Sequence, residues 1–273
     1  MTTTFLCTAC GTQYPPSDAP PKHCPICEDH RQFVPPAGQS WVSFEAMRAG
    51  RRFQIAREGE FLSLSPLPAF GIGNRAFLVR TPHGNLLWDC VPCVDDAIVE
   101  IIEGLGGLAG IAISHPHYYS AMAEWSAAFG DIPVHIHADE EKWVMRRGSY
   151  LDAWQGERRE LLPGVTMIRC GGHFAGASVL HVAMAHDGKG ALMVGDVLQV
   201  TPGCDKLGFM RSYPNFIPLG EKLVRRIGRA LEGVEFDGVY GAFWDRSITD
   251  NGRAIMEASI ERHIEWLHCE DDT

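Results

Sequence analysis

Two groups of side chains in this sequence have the types and spacing that could do metal chemistry. Cys7 and Cys10 form one Cys-X-X-Cys pair, and Cys24 and Cys27 form another. Each pair offers two thiolates from one tight turn, and two facing turns complete a tetrahedral four-sulfur site. Gly11 and Pro25 suit turns whose backbone amides point at sulfur. Residues 4–34 are too few to fold on apolar burial, so a metal supplies their folding energy. The second group begins at His115 and His117, which flank Pro116 directly after the apolar run Ile111-Ala112-Ile113. In extended chain, residues i and i+2 point the same way, so both imidazoles leave the strand end on one side. Pro116 stiffens that tip and donates no hydrogen bond. His173 follows Gly171-Gly172 at the end of a second apolar run, and Asp196 follows Gly195 at the end of a third. Strand ends on one edge of a layered α/β core are where ligands converge.

The elements that must position these groups follow from apolar periodicity and turn residues. Val34-Pro35-Pro36-Ala37-Gly38 reads as a linker, so the chain divides into a metal ribbon (1–36), a linker with a short helix (37–59) and a larger domain (60–273). Residues 41–51 are expected to be that helix, with Ser43 as its N-cap. In the large domain, strands are expected at 61–64, 74–80, 86–89, 111–113, 132–136, 165–170, 178–185, 191–194 and 238–243. Pro82-His83-Gly84-Asn85 turns one hairpin. Helices are expected at 94–104, 121–129, 139–147 and 219–231. A closing helix carries Met256, Ile260, Ile264 and Leu267 on its inner face. Alternating strands and helices in two halves argue for sheets with helices on their outer faces.

Composition narrows the functional classes. A net charge of -10 lacks the electrostatic footprint of a nucleic-acid binder. No apolar run approaches ~18 residues, so no transmembrane helix is expected. The first residues have no basic stretch followed by an apolar one, which argues against a secretory signal. Nine cysteines, four of them at metal-ligand spacing, favour a reducing compartment over a disulfide scaffold. The expectation is a cytoplasmic protein acting on a small molecule.

His115-Pro116-His117, then Gly171-Gly172-His173, then Val194-Gly195-Asp196, in this order, resembles the metallo-β-lactamase fold superfamily over roughly residues 60–268. Leu86-Leu87-Trp88-Asp89 fits that family's early Asp motif. The N-terminal unit resembles a zinc ribbon, with turns also similar to those of rubredoxin. The resemblance implies an αββα sandwich preceded by a four-cysteine ribbon. The family's usual His-X-His-X-Asp-His motif feeds two metals. Here Tyr119 stands in place of its Asp, Ser120 in place of its last His, and Ala242 at or near the place of a final His. The resemblance therefore implies a reduced, mononuclear site, with His115, His117 and His173 on the metal and Asp196 beside it.

Three histidines with an open position are the pattern of catalytic zinc, which lowers the pKa of bound water to about 7. Asp196 could be a fourth ligand or the general base. Tyr119 and Tyr118 could donate hydrogen bonds to a developing oxyanion. Trp244, near the vacated ligand position, could line the substrate pocket. The expected activity is metal-dependent hydrolysis of an ester, thioester, amide or phosphoester, with one zinc in the ribbon and one in the histidine site. An alternative uses His115, His173 and Asp196 as a two-histidine, one-carboxylate iron triad. The superfamily includes mononuclear iron oxygenases acting on sulfur compounds, and iron could occupy either site. A third reading keeps the fold as a non-catalytic scaffold, with the ribbon as its interaction module. Cys90 and Cys93 are read as structural, and His135 and His137 as one face of a strand. His181 and His263 are taken as satisfied or solvated, and Trp143, Trp154 and Trp266 as packing residues. Arg146-Arg147 and Arg225-Arg226 are taken as solvated helix faces.

Overall fold

Leu86-Leu87-Trp88 and Gly110-Ile111-Ala112 run side by side and parallel, with Leu86 opposite Gly110 and Trp88 opposite Ala112. This pairing sits within the first of two compact units, Met1–Trp154 and Gln155–Thr273, in a computed structural model that describes residues 2–270. No helix among the described residues is long and apolar enough to cross a membrane.

The first unit opens with the ribbon. Strand β1 (Phe5–Cys7) pairs antiparallel with β2 (Trp41–Ser43), and α1 (Pro25–Glu28) carries the second cysteine turn. The stretch expected to be linker and helix is therefore mostly sheet. Residues 41–43 return to the ribbon as β2, and the helix shrinks to α2 (Phe44–Arg48). Its cap is as expected, since Ser43 Oγ accepts the Ala46 N–H at 3.1 Å. Residues 52–58, also assigned to the linker, form β3 (Arg52–Glu58), which pairs along its whole length with β4 (Phe61–Leu67). β3 escaped notice because its half-exposed, charged sequence carries only a weak alternation.

From β3 onward the first sheet runs in sequence order through β4, β5 (Ala76–Thr81), β6 (Gly84–Trp88), β7 (Gly110–Ala112), β8 (Val134–His137) and β9 (Leu151–Trp154). The ladders from β3 to β6 are antiparallel and those from β6 to β9 are parallel. Helix α3 (Asp96–Gly104) joins β6 to β7, with Asp95 accepting the Ile98 N–H and with Ile98 and Ile102 buried. Helix α4 (Met122–Ala128) joins β7 to β8 and buries Met122 and Trp125. Every residue of β7 is buried, as a central parallel strand requires. The helix expected at 139–147 is only a 3-10 segment, Ala138–Trp143.

The second unit holds a six-stranded sheet in the order β10 (Arg158–Leu162), β11 (Val165–Arg169), β12 (Ser178–Val182), β13 (Ala191–Gly195), β14 (Gly238–Gly241) and β15 (Ser247–Ile248). Only β13 and β14 pair in parallel. Helix α5 (Glu221–Ala230) joins them and buries Val224 and Ile227. Helix α6 (Gly252–His268) buries Met256, Ile260 and Ile264, the face its periodicity indicated. Trp266 lies 62% exposed on that helix and is no core residue. Between β13 and α5, Met210–Ser212 pairs with Ile217–Pro218 in a small hairpin.

Candidate functional site

The four ribbon cysteines are buried, and their sulfurs all lie within 4.8 Å of one another. Cys7 and Cys27 sulfurs are 3.6 Å apart, as are those of Cys10 and Cys24. A tetrahedral zinc with Zn–S of about 2.3 Å sets its sulfurs about 3.8 Å apart. The donor set and its spacing therefore fit one metal ion. Hydrogen bonds from Cys10, Cys27 and Cys7 hold the Cys24 thiol far below its usual range, so the cluster favours thiolate there. The Gln39 side-chain amide donates to Cys7 Sγ at 2.8 Å, an outer hydrogen bond of the kind that tunes thiolate ligands.

In the first unit, β7 delivers His115 and His117. The chain leaves Ala112 and is caught at Ser114, whose N–H donates to Asp89 Oδ1 at 2.7 Å. Asp89 itself turns at φ 58° at the end of β6, and its N–H donates to the Ala112 carbonyl at 2.8 Å. The early Asp motif therefore holds the loop that carries the histidines. The Ser114 hydroxyl lies 2.8 Å from His115 Nδ1, which makes Nε2 the nitrogen that a metal would take. Pro116–Tyr118 forms a single 3-10 turn that sets the His117 ring 4.9 Å from that of His115. Both imidazoles are 1% exposed, too buried for the surface-loop histidines that this motif often represents.

In the second unit, His173 and Asp196 face each other, with His173 Nε2 3.9 Å from Asp196 Oδ2. Nitrogen and oxygen ligands on one tetrahedral zinc stand about 3.4 Å apart. His173 Nδ1 lies 3.1 Å from the Met210 carbonyl, which fixes the tautomer and aims Nε2 at Asp196. Tyr213 O–H donates to the Asp196 backbone carbonyl at 3.2 Å, and Arg211 donates to the His173 carbonyl. The hairpin at 210–218 thus buttresses both residues. Sequence reading missed it, since Met210 lies 37 residues from His173 and acts through a backbone atom. Ser114, adjacent to the motif, was within reach of such a reading.

Other expected site residues sit elsewhere in the chemistry. Tyr119 is 2% exposed and its O–H donates to the Glu140 carbonyl at 3.4 Å, while burial pushes its pKa well up. That hydroxyl was expected to donate a hydrogen bond to a developing oxyanion, and here it is turned to the Glu140 carbonyl. Tyr118 is fully buried, with its ring 4.6 Å from that of His115. Trp244 is half-buried, three residues beyond the end of β14, and Ala242 is buried beside it. His135 pairs with Asp152 at 3.0 Å, and His137 accepts the Asp139 N–H. His181 and His263 each contact a backbone carbonyl, as expected of satisfied histidines. Burial pushes the Cys90 thiol well up and that of Cys93 to about 11, which matches their structural reading.

No family model matches the chain. Uncharacterized protein YmaE of Bacillus subtilis (strain 168) is 38% identical to it over 269 residues, 97% of each chain. The chain belongs to the YmaE family. Among solved structures, VMB-1 is 11% identical and covers 79% of this YmaE-family chain and 98% of its own, with a TM-score of 0.58. The DIM-1 metallo-β-lactamase is 15% identical over 78% of this chain and 96% of its own, at 0.55. A metallo-β-lactamase from Staphylococcus aureus subsp. aureus COL is 9% identical over 82% and 68%, at 0.52. At such identities the likeness is one of fold. This YmaE-family chain has the metallo-β-lactamase fold that its motifs implied, with a four-cysteine cluster at its N-terminus.

Proposed function

We propose that the chain is a mononuclear zinc-dependent hydrolase of a small molecule. His115, His117 and His173 hold the zinc, and Asp196 completes the site as ligand or base. The observation that carries this reading is the aim of His173 Nε2 at Asp196 Oδ2, with Nδ1 locked on the Met210 carbonyl. On the other unit, Ser114 orients His115 in the matching way. Metal ligands held by such outer hydrogen bonds are a recurring feature of catalytic sites. Bound zinc supplies a water acidified to about pKa 7. Beside such an ion Asp196 would orient a water and accept its proton, while His115, His117 and His173 would hold the ion. Tyr119 and Ser120, where a second metal's ligands would stand, support a single-metal reading. Esters, thioesters, amides and phosphoesters all suit this chemistry.

Elemental analysis of the native chain and of a His115→Ala, His173→Ala variant tests the reading. Two zincs per chain should fall to one in the variant, together with loss of hydrolysis across a panel of those four substrate classes. One zinc plus one iron, with oxygen uptake on thiol substrates, would overturn hydrolysis in favour of oxidation. A variant that keeps both metals and full activity would sink the site assignment.

A further inference from the structure

The ribbon is joined to the histidine loop by a specific set of bonds within the first unit. Gln13 follows the first cysteine turn, and Leu6 and Gln13 form an isolated antiparallel bridge. The bonds of that bridge are made by its neighbours, from Cys7 N–H to the Thr12 carbonyl and from Tyr14 N–H to the Phe5 carbonyl. Gln13 N–H therefore points away from the ribbon, and it donates to the Ser120 carbonyl at 3.2 Å. Ser120 is three residues past His117 and stands at φ 38°, a backbone state that a serine holds only when its surroundings impose it.

The Gln13 side chain is 3% exposed and bonded at both ends of its amide. Its Nε2 donates to Glu124 Oε1 at 3.2 Å, and its Oε1 accepts from Arg146 Nη1 at 2.8 Å. Arg146 closes the triangle on Glu124 at 2.5 Å. Arg146 is therefore a partner of the ribbon and no solvated helix residue, as its place beyond the 3-10 segment allows. Glu124 lies on α4, the helix that follows the histidine loop. The cysteine turn itself is pressed on the same region. A Cβ on Gly11 would lie 3.3 Å from Pro92 Cβ and 3.6 Å from Ser120 Oγ. A Cβ on Gly71 would lie 2.8 Å from Gly11 N. Trp143, Met145 and Ile72 pack against the cysteine cluster.

We propose that the ribbon metal is a brace for the catalytic half-site, acting through Gln13. Four thiolates on one ion hold the Cys7–Cys10 turn, the turn holds Gln13, and Gln13 fixes Ser120 and α4, which directly follow the His115–His117 loop. Gln13 is a positioning residue. The consequence is that metal affinity at the histidine site depends on the integrity of the cysteine site, although the two share no ligand. This dependence rests on the histidine-site metal proposed above, whereas the bracing of the loop does not.

Two variants separate the bonds. Gln13→Ala removes the side-chain triangle. Gln13→Pro removes the triangle and also the N–H to Ser120, so the difference between the two variants isolates that bond, and the bridge stays intact because none of its bonds uses that amide. Both should retain one metal by elemental analysis, in the cysteine site. Amide exchange over residues 114–121 should quicken in each, and zinc affinity at the histidine site, by chelator competition, should fall about tenfold. Cys24→Ser, which opens the four-sulfur site, should quicken the same amides. Wild-type exchange over 114–121 in both Gln13 variants would overturn the brace. A native chain that takes no second metal would sink the hydrolase reading, while the exchange comparison still decides the brace.

Discussion

At Gly172 the backbone turns at φ 84°, and a Cβ there would lie 3.0 Å from both Ile227 Cδ1 and Leu219 Cδ2. His173 is the next residue, so this turn decides where its imidazole points. A side chain at such an angle costs about 1–2 kcal/mol before any crowding is counted. Gly172→Ala should lower the unfolding free energy from urea titration by that order and also weaken zinc retention at the histidine site, measured on the same samples. The Gly-Gly-His run was legible as a ligand signal because glycine before a strand-end histidine marks a forced turn. The partner that aims the ring was not legible, because a backbone carbonyl carries no residue identity.

Within elements, the antiparallel half of the first sheet rests on a buried ion pair. Arg75, directly before β5, has a fully buried side chain and pairs with Glu58 at the end of β3. Its guanidinium also stacks 4.6 Å over the ring of Phe77, and Ser63 Oγ donates to Glu58 Oε1 at 2.9 Å. Removing one partner leaves a charge buried without its counterion, which costs about 3 kcal/mol or more. Glu58→Ala should therefore destabilise the chain far more than a substitution at exposed Glu60, by urea denaturation. This pair explains why β3 belongs to the sheet although its charged sequence suggested a linker. β3 is an edge strand with one partner and even Ile55 is 40% exposed, so its residues mark no buried face that a period-two reading could find. β10, with Arg158, Arg159 and Glu160, was overlooked for the same reason. The buried strands β7, β11 and β13 stood out because continuous apolar runs between turn residues have few other readings.

For the molecule as a whole, stability should depend on pH on the acid side of neutrality. Burial lowers the pKa of His181 below 6.5, against the opposing pull of its bond to the Glu235 carbonyl. The unfolded chain then binds a proton near pH 6 that the folded chain refuses, so stability rises with pH through that range. This contribution is fully present above 6.5 and is lost as pH falls through the folded value. Melting temperature should drop between pH 7 and 5, and His181→Gln should reduce the slope, by calorimetry. At this scale, sequence reading captured the fold and both donor sets, since each motif is local. It did not capture how the ribbon is used. Gln13 and Ser120 are 107 residues apart, and nothing in either residue's type announces the bond.

The first sheet has a consequence for how the chain is made. From β3 to β9 each strand lies beside the one before it in sequence, so every ladder can close as soon as its second strand emerges. Domains generally fold as units during synthesis, N-terminal first. A ribosome that has released Trp154 has already released both pairing edges of every strand in that sheet, together with the ribbon. The sheet of the second unit closes in the same way only from β10 to β13, and β13 must then await β14 some 43 residues later.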